Sequence, residues 1–278
     1  MKERITITID ENMLKLLDDQ VDGIAIKNRS HAIELNLAKS LQKKAIAQAV
    51  IFAGGKYNIT QDRHEIPTVM VKIKGKPILE HNILMLKKQG VTDIILALSH
   101  QKEMIKEYFG NGDKLGVKIN YVEDENPQGT AGALRSAASH ITGTFIACNG
   151  DEMKTIDIRD MFAFHRKQGT LATLAVTTRS NPKDYGVVVL NGNNVYSFIE
   201  KPTGSIPTNL INAGLYILEP EVISMTPQGF GRLEQDVFPK LAKKEELSGY
   251  VFYGAWQDVR STEGLEQATK NWEQQQNF

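Results

Sequence analysis

The 278 residues carry 33 Lys/Arg against 33 Asp/Glu, so neither an acidic nor a basic tail points to a partner by itself. A hydrophobic fraction of 41% and a charged fraction of 24% are ordinary for a globular chain with a sizeable core. No apolar run is long enough to span a bilayer and residues 1–4 show no signal peptide, so the expectation is a cytoplasmic protein with no membrane contact.

In chain order, Arg4, Thr6 and Thr8 alternate with Ile5, Ile7 and Ile9, which predicts a strand with one polar and one buried face. Asp10 suits a helix N-cap, followed by an apolar stripe at Met13, Leu14, Leu16, Leu17 and Val21 that Gly23 can end. Ser30 can cap a second helix with the stripe Ile33, Leu37, Ala38 and Leu41. The pattern changes near residue 45, without a Gly/Ser/Pro-rich linker, which predicts a module at 1–44 and a larger domain at 45–278, closely joined. About forty residues bury too little core alone, and a lone strand has two unpaired edges. Pairing two chains answers both problems, so a homodimer or higher homo-oligomer is expected.

Residues 3–43 resemble the ribbon-helix-helix family of DNA-binding proteins, through the run 4–10, the turn before Asn28, Arg29 and Ser30, and the following Ala32 and Ile33. The resemblance implies base reading by Arg4, Thr6 and Thr8 in a major groove. It also implies phosphate contact at the N-terminus of the second helix, at Arg29 and Ser30. The alternative is a module that only dimerises. Residues 1–44 carry eight Lys/Arg and seven Asp/Glu, less basic than DNA-binding domains usually are.

Beyond residue 48, apolar runs alternate with helical ones, the pattern of βαβ units. Residues 49–53 read as a buried strand entering Gly54 and Gly55, where glycine lets a backbone approach a base or phosphate. Lys76, Pro77 and Ile78 open a helix bearing Ile83, Leu84 and Leu86, and strands are predicted at 91–98 and 117–122. Residues 127–132 form a small-residue turn into a helix. Residues 144–148 form another buried strand, so the single cysteine, Cys148, is expected to be an inert thiol rather than a nucleophile. Asn149, Gly150 and Asp151 follow, at the strand end where open α/β sheets place ligands. The six histidines lack metal-ligand spacing and read as surface or structural residues.

Together, Ala53–Gly55, Gly75–Pro77, Gly129–Leu134, Gly150–Asp151, Tyr185–Gly186, Glu200–Pro202, Asn212–Gly214 and Trp256 with Asp258 resemble the sugar-1-phosphate nucleotidyltransferases, over residues 49–265. The texture is nearest to mannose- or heptose-phosphate guanylyltransferases. The implied fold is α/β, a Rossmann-like (GT-A-like) domain with a mixed sheet following the N-terminal ribbon-helix-helix module. The implied reaction is attack of a sugar phosphate oxygen on the α-phosphorus of a nucleoside triphosphate, with release of pyrophosphate. The implied cofactor is Mg²⁺, held by Asp151 and Asp258. Lys201 would bind the sugar phosphate, and Glu200, Gly186, Asn212 and Gly214 the sugar. Ala53, Gly54, Gly55, Gly129 and Thr130 would lie against the nucleotide. The bland alternatives are a loop cap at Asp151, an exposed Glu200–Lys201 pair, and Asp258 paired with Arg260.

The chain departs from that pattern where the triphosphate would sit. After Gly55 come Lys56, Tyr57, Asn58, Ile59 and Thr60, without the family's second glycine and arginine. Thr68 replaces a lysine after Pro67, and Arg260 and Ser261 replace Gly-Thr. Losing one charge-stabilising donor typically costs about 10²–10³ in rate. Lys56, Arg63 and Lys72 are candidate replacements. The leading expectation is therefore a DNA-binding regulator whose nucleotidyltransferase-like domain binds a nucleotide or nucleotide sugar with weakened or lost catalysis. The alternatives are an active Mg²⁺-dependent enzyme dimerised by its N-terminal module, and a scaffold with neither ligand nor DNA.

Overall fold

Ile and Val set strand positions from residue 48 onward, and the chain divides there into two units, residues 1–45 and 46–278. The computed structural model describes residues 6–23, 26–42, 46–55, 58–61, 64–123, 128–260 and 262–275.

In the first unit, α1 (Glu11–Asp18) starts at Asp10, whose carboxylate accepts the Asn12 and Met13 N–H groups. It stops well before Gly23, with Asp19 as its C-cap, so Val21 falls outside the helix. α2 (Arg29–Gln42) is capped by Asn28, whose Oδ1 accepts the His31 N–H, and not by Ser30. Residues 6–10 form no strand. Alternation reports amphipathicity, but a strand needs an edge to pair with, and the described residues of this unit offer none. α1 buries no side chain, and Ile7, Met13, Leu16 and Leu37 are exposed.

The second unit begins with β1 (Gln48–Phe52), β2 (Asn58–Gln61), β3 (His64–Pro67), β4 (Lys72–Ile73), β5 (Lys76–Pro77) and α3 (Ile78–Lys88). β6 (Asp93–Leu98), α4 (Lys102–Phe109), β7 (Lys118–Glu123), α5 (Gly129–Ala137), β8 (Phe145–Asn149), β9 (Glu152–Lys154) and α6 (Ile158–Gln168) follow. The remainder comprises β10 (Ala172–Thr178), β11 (Gly186–Asn191), β12 (Asn194–Glu200), β13 (Leu210–Leu218), α7 (Glu221–Ser224), α8 (Phe238–Lys243), β14 (Leu247–Val251), β15 (Trp256–Asp258) and α9 (Thr262–Gln275).

Among the described residues, nine strands form one mixed sheet in the order β10-β14-β12-β11-β13-β8-β1-β6-β7. Strands β7, β6, β1 and β8 run parallel, and β13 joins β8 antiparallel. Alternate residues of β1 face opposite layers, as strand geometry requires. Ala49 and Ile51 pack with Leu79 and Ile83 of α3, Ile105 of α4 and Met161 of α6. Val50 packs with Leu134 of α5 and Leu241 of α8. Helices thus cover both faces, which is why these strands read as continuous apolar runs. A third cluster, Val71, Ile73, Ile78, Met153, Val259 and Ala268, lies where β9 pairs with β15. No helix among the described residues is long and apolar enough to cross a membrane.

Candidate active site

From β1 the chain crosses to β6 on one side, and β8 joins on the other, so the strand order reverses between β1 and β8. A crevice opens at the C-terminal ends of strands at such a point. Here it is a cleft of about 530 Å³. Ala53, Gly54, Gly55, Gly129 and Thr130 line it, as do Asp151, Gly186, Glu200, Lys201 and Asn212. The turn after β8 is pinned from two sides: the Gly150 N–H donates to the Phe52 carbonyl at 3.0 Å, and buried Asn82 donates Nδ2–H to the Gly150 carbonyl at 3.0 Å. At the other wall, Gly129 has φ +75° and a Cβ there would collide with the Gly231 carbonyl. Glycine is therefore the only residue that fits this helix start without moving backbone.

The antiparallel β9–β15 ribbon sets Asp258 opposite Glu152, which brings Asp258 to the Asp151 end of the cleft. Between the carboxylates stands Arg260. Its Nε–H donates to Asp258 Oδ1 at 2.8 Å, its Nη2–H to Asp258 Oδ2 at 2.6 Å, and Nε lies 3.9 Å from Asp151 Oδ2. The Arg260 backbone N–H also donates to Asp258 Oδ1 at 3.0 Å. Burial opposes the guanidinium charge, but the Asp258 hydrogen bonds and the charges of Glu152, Asp151 and Asp258 hold its pKa above the ordinary value. Burial pushes the Asp151 carboxyl up to about 6, opposed by Arg260 and reinforced by Glu152 and Asp258. A divalent ion shared by Asp151 and Asp258 does not fit this arrangement, because a permanent cation already bridges them. Among the described residues no three His, Cys, Asp or Glu side chains are grouped to hold a metal ion.

The opposite end of the cleft is built on the β11–β12 hairpin, whose register sets Gly186 against Glu200. Burial raises the Glu200 carboxyl above its ordinary pKa, and nearby Glu234 adds to this. Lys201 follows with φ +45°, its N–H bonded to the Tyr185 carbonyl at 3.1 Å. A left-handed lysine at a cleft wall is backbone strain of the kind found at functional positions. Asn212 donates Nδ2–H to the Tyr216 hydroxyl at 2.8 Å. Tyr216 donates in turn to Glu234 Oε1 at 3.2 Å, and Thr130 donates to Glu234 Oε2 at 2.9 Å. Beneath the cleft, Gly214 has φ +59° and a Cβ there would meet the Glu152 carboxylate and the Asn149 amide. Glu152 receives hydrogen bonds from Asn149 Nδ2 at 2.8 Å and Trp256 Nε1 at 3.1 Å, and pairs with buried Lys154 at 3.4 Å.

Every residue expected to contact nucleotide, sugar or phosphate lines the cleft except Gly214, which lies under it, and Asp258, which reaches it through Arg260. The Asp258–Arg260 pair read as an alternative from sequence is present. Among the candidate replacement cations, Lys56 and Arg63 lie outside the described residues, as does Tyr57. Lys72 lines a different cavity of about 740 Å³, beside Glu80 and Tyr108. The cleft cations among the described residues are instead Lys201, Arg232 and Arg260. Arg232, Phe230 and Glu234 carry no local sequence signal, since the 226–234 segment enters the site through tertiary contacts with α5 and β13. Cys148 is buried and its thiol is pushed up to about 11, so it is not a nucleophile at neutral pH.

The residues expected to touch DNA lie, among the described residues, on α2 and on the segment before α1. Arg29 spends its guanidinium on Asp18, with Nε and Nη2 each 2.7 Å from a carboxylate oxygen. Thr6 and Thr8 lie on no strand, Ser30 is exposed in the first turn of α2, and Arg4 is outside the described residues.

The sheet order and cleft define a mixed α/β fold of the nucleotidyltransferase type. Residues 48–275 match the family model described as nucleotidyl transferase, and the chain belongs to that family. It is similar to the mannose-1-phosphate guanylyltransferase catalytic subunit beta of Danio rerio, 34% identical over 200 residues, covering 70% of this chain and 55% of that one. It is likewise 34% identical over 205 residues to a probable mannose-1-phosphate guanylyltransferase 3 of Arabidopsis thaliana, covering 70% of this chain and 61% of that one. The chain thus spans little more than half the length of these relatives. Among solved structures it resembles HddC from Yersinia pseudotuberculosis complexed with GMP-PN, at TM-score 0.70 and 27% identity, covering 82% of this chain and all of that one. A putative glucose-1-phosphate thymidylyltransferase from Bacillus anthracis shares the fold, at TM-score 0.71 and 21% identity, over 80% of this chain and 94% of that one. Nucleotidyltransferases of this family generally use Mg²⁺. These relationships overturn the expectation of a DNA-binding regulator with weakened or lost catalysis, because the relatives are named as guanylyltransferases.

Proposed function

We propose that this protein is an active sugar-1-phosphate nucleotidyltransferase, with a guanine nucleotide and mannose 1-phosphate as the leading substrate pair. The observation that carries the reading is the polarity of one cleft. Glycine backbone at Gly54, Gly55 and Gly129, the polar side chains of Glu200 and Asn212, and the cations Lys201, Arg232 and Arg260 all line the same space. The names of the relatives support the choice of base and sugar.

In this reading a nonbridging oxygen of the sugar phosphate attacks the α-phosphorus, the bond to the β-phosphate oxygen breaks, and pyrophosphate leaves with that electron pair. No covalent enzyme intermediate is needed, so the protein contributes position and charge. Lys201, held by its backbone bond to Tyr185, neutralises the attacking phosphate. Glu200 and Asn212 fix the sugar hydroxyls, and the Tyr216–Glu234–Thr130 chain keeps Asn212 oriented. The first unit pairs two chains through its exposed apolar side chains, which a unit of 45 residues cannot cover by itself.

The test is pyrophosphate release in Mg²⁺ buffer with GTP and mannose 1-phosphate, against other triphosphates and sugar phosphates. The expected result is pyrophosphate in step with nucleotide sugar, sharply reduced by Lys201→Ala, which removes the cation at the attacking phosphate. A folded protein silent with every pair would overturn the reading.

A further inference from the structure

We propose that the Arg260 guanidinium takes the place of a divalent cation between Asp151 and Asp258, so that this carboxylate pair holds no metal ion of its own. The placement is built into the backbone. Arg260 lies two residues beyond Asp258, and its own N–H closes a turn onto Asp258 Oδ1 before the side chain folds back to grip both carboxylate oxygens. The same guanidinium reaches toward Asp151, 3.9 Å away, and lines the cleft.

A Mg²⁺ ion bound by both carboxylates would need oxygen ligands at about 2.0–2.1 Å. It would therefore have to break the paired hydrogen bonds to Asp258 and sit against a positive charge. Arginine cannot relieve that repulsion by losing its proton. Two of its five N–H donors are used on Asp258, so the group keeps donors for a phosphate oxygen. A divalent ion that reaches this cleft then arrives on the triphosphate rather than waiting on the protein. The significance of the substitution rests on the nucleotidyl-transfer reading, but its test does not, because no substrate is present.

The experiment is a Mn²⁺ titration of the full chain without nucleotide, with free Mn²⁺ read by electron paramagnetic resonance. Wild type should show no saturable uptake. Arg260→Ala and the polar, uncharged Arg260→Gln should each gain one saturable site that wild type lacks. That site should vanish when Asp151→Asn is added. Wild type binding Mn²⁺ as tightly as the variants, or folded variants gaining no site, would overturn the proposal. Failed turnover with the expected Mn²⁺ result would instead count against the substrate reading alone.

Discussion

His165 is almost fully buried between Thr173 Oγ1, 2.7 Å from Nδ1, and Glu219 Oε1, 3.1 Å from Nε2. Burial lowers its pKa below the ordinary 6.5, and Glu219 offsets that only in part. The unfolded chain therefore takes up this proton at a higher pH than the folded one. The stability His165 contributes is complete above about 6.5 and is lost as pH falls from there through the lowered folded value. Asp151 acts with the opposite sign: its raised pKa makes the folded state the better proton acceptor near pH 6. Comparison with a variant separates the two. The urea midpoint of wild type should fall more steeply than that of His165→Gln between about pH 7 and about pH 5. Parallel profiles would show that His165 keeps the same pKa on unfolding. From sequence, His165 reads as a surface or structural histidine like the other five, because neither Thr173 nor Glu219 is a helical or strand neighbour of it. Arg260, in contrast, is legible as a departure from the family's pattern, and its partner Asp258 is two residues away.

At the scale of elements, α5 enters the cleft through a junction shared with the 226–231 loop. Ala131 N–H donates to the Gly231 carbonyl, and Gly231 N–H to the Gln128 carbonyl. Gly129→Ala places a methyl group against that carbonyl at positive φ. The left-handed conformation alone costs a non-glycine residue about 1–2 kcal/mol, and the collision adds to it. The expected outcome is a lower denaturation midpoint together with weakened nucleotide binding by calorimetry. Unchanged affinity would mean that the α5 start does not touch nucleotide. The parallel strands at the centre of the sheet were readable because burial on both faces leaves uninterrupted Ile, Val, Leu and Ala runs, as in β1 and β6. Placement of β10 to β14 was not, since their order follows from pairings between distant segments such as Ala172 with Leu247 and with Leu218. The strand expected at residues 4–9 does not form over residues 6–9 of the single chain, because alternation gives a face while a strand also requires a neighbour, which in a ribbon comes from a second chain.

For the whole molecule, the first unit leaves Met13 and Leu16 of α1 about 60% exposed (60% and 63%). Large apolar side chains grouped on a small unit mark a surface that another chain covers. Sedimentation of the full chain should give a dimer or larger assembly, and Leu16→Glu, which adds a charge to that surface, should shift it toward monomer. A wild-type monomer at micromolar concentration would remove the pairing role from this unit.

The ribbon that joins β9 to β15 also has a consequence for biosynthesis. Trp256 donates to Glu152 across 104 residues of chain, and Asp258 with Arg260 follows it. On the ribosome, the strands through β8 can emerge and begin to pair while this end of the cleft is still missing. Contacts between such distant positions make late, slow steps in folding. Growing chains therefore expose a glycine-walled crevice with an uncompensated Asp151 until residues 256–260 are added. A ribosome that stalls before residue 256 would release a chain with much of its sheet but neither Asp258 nor Arg260.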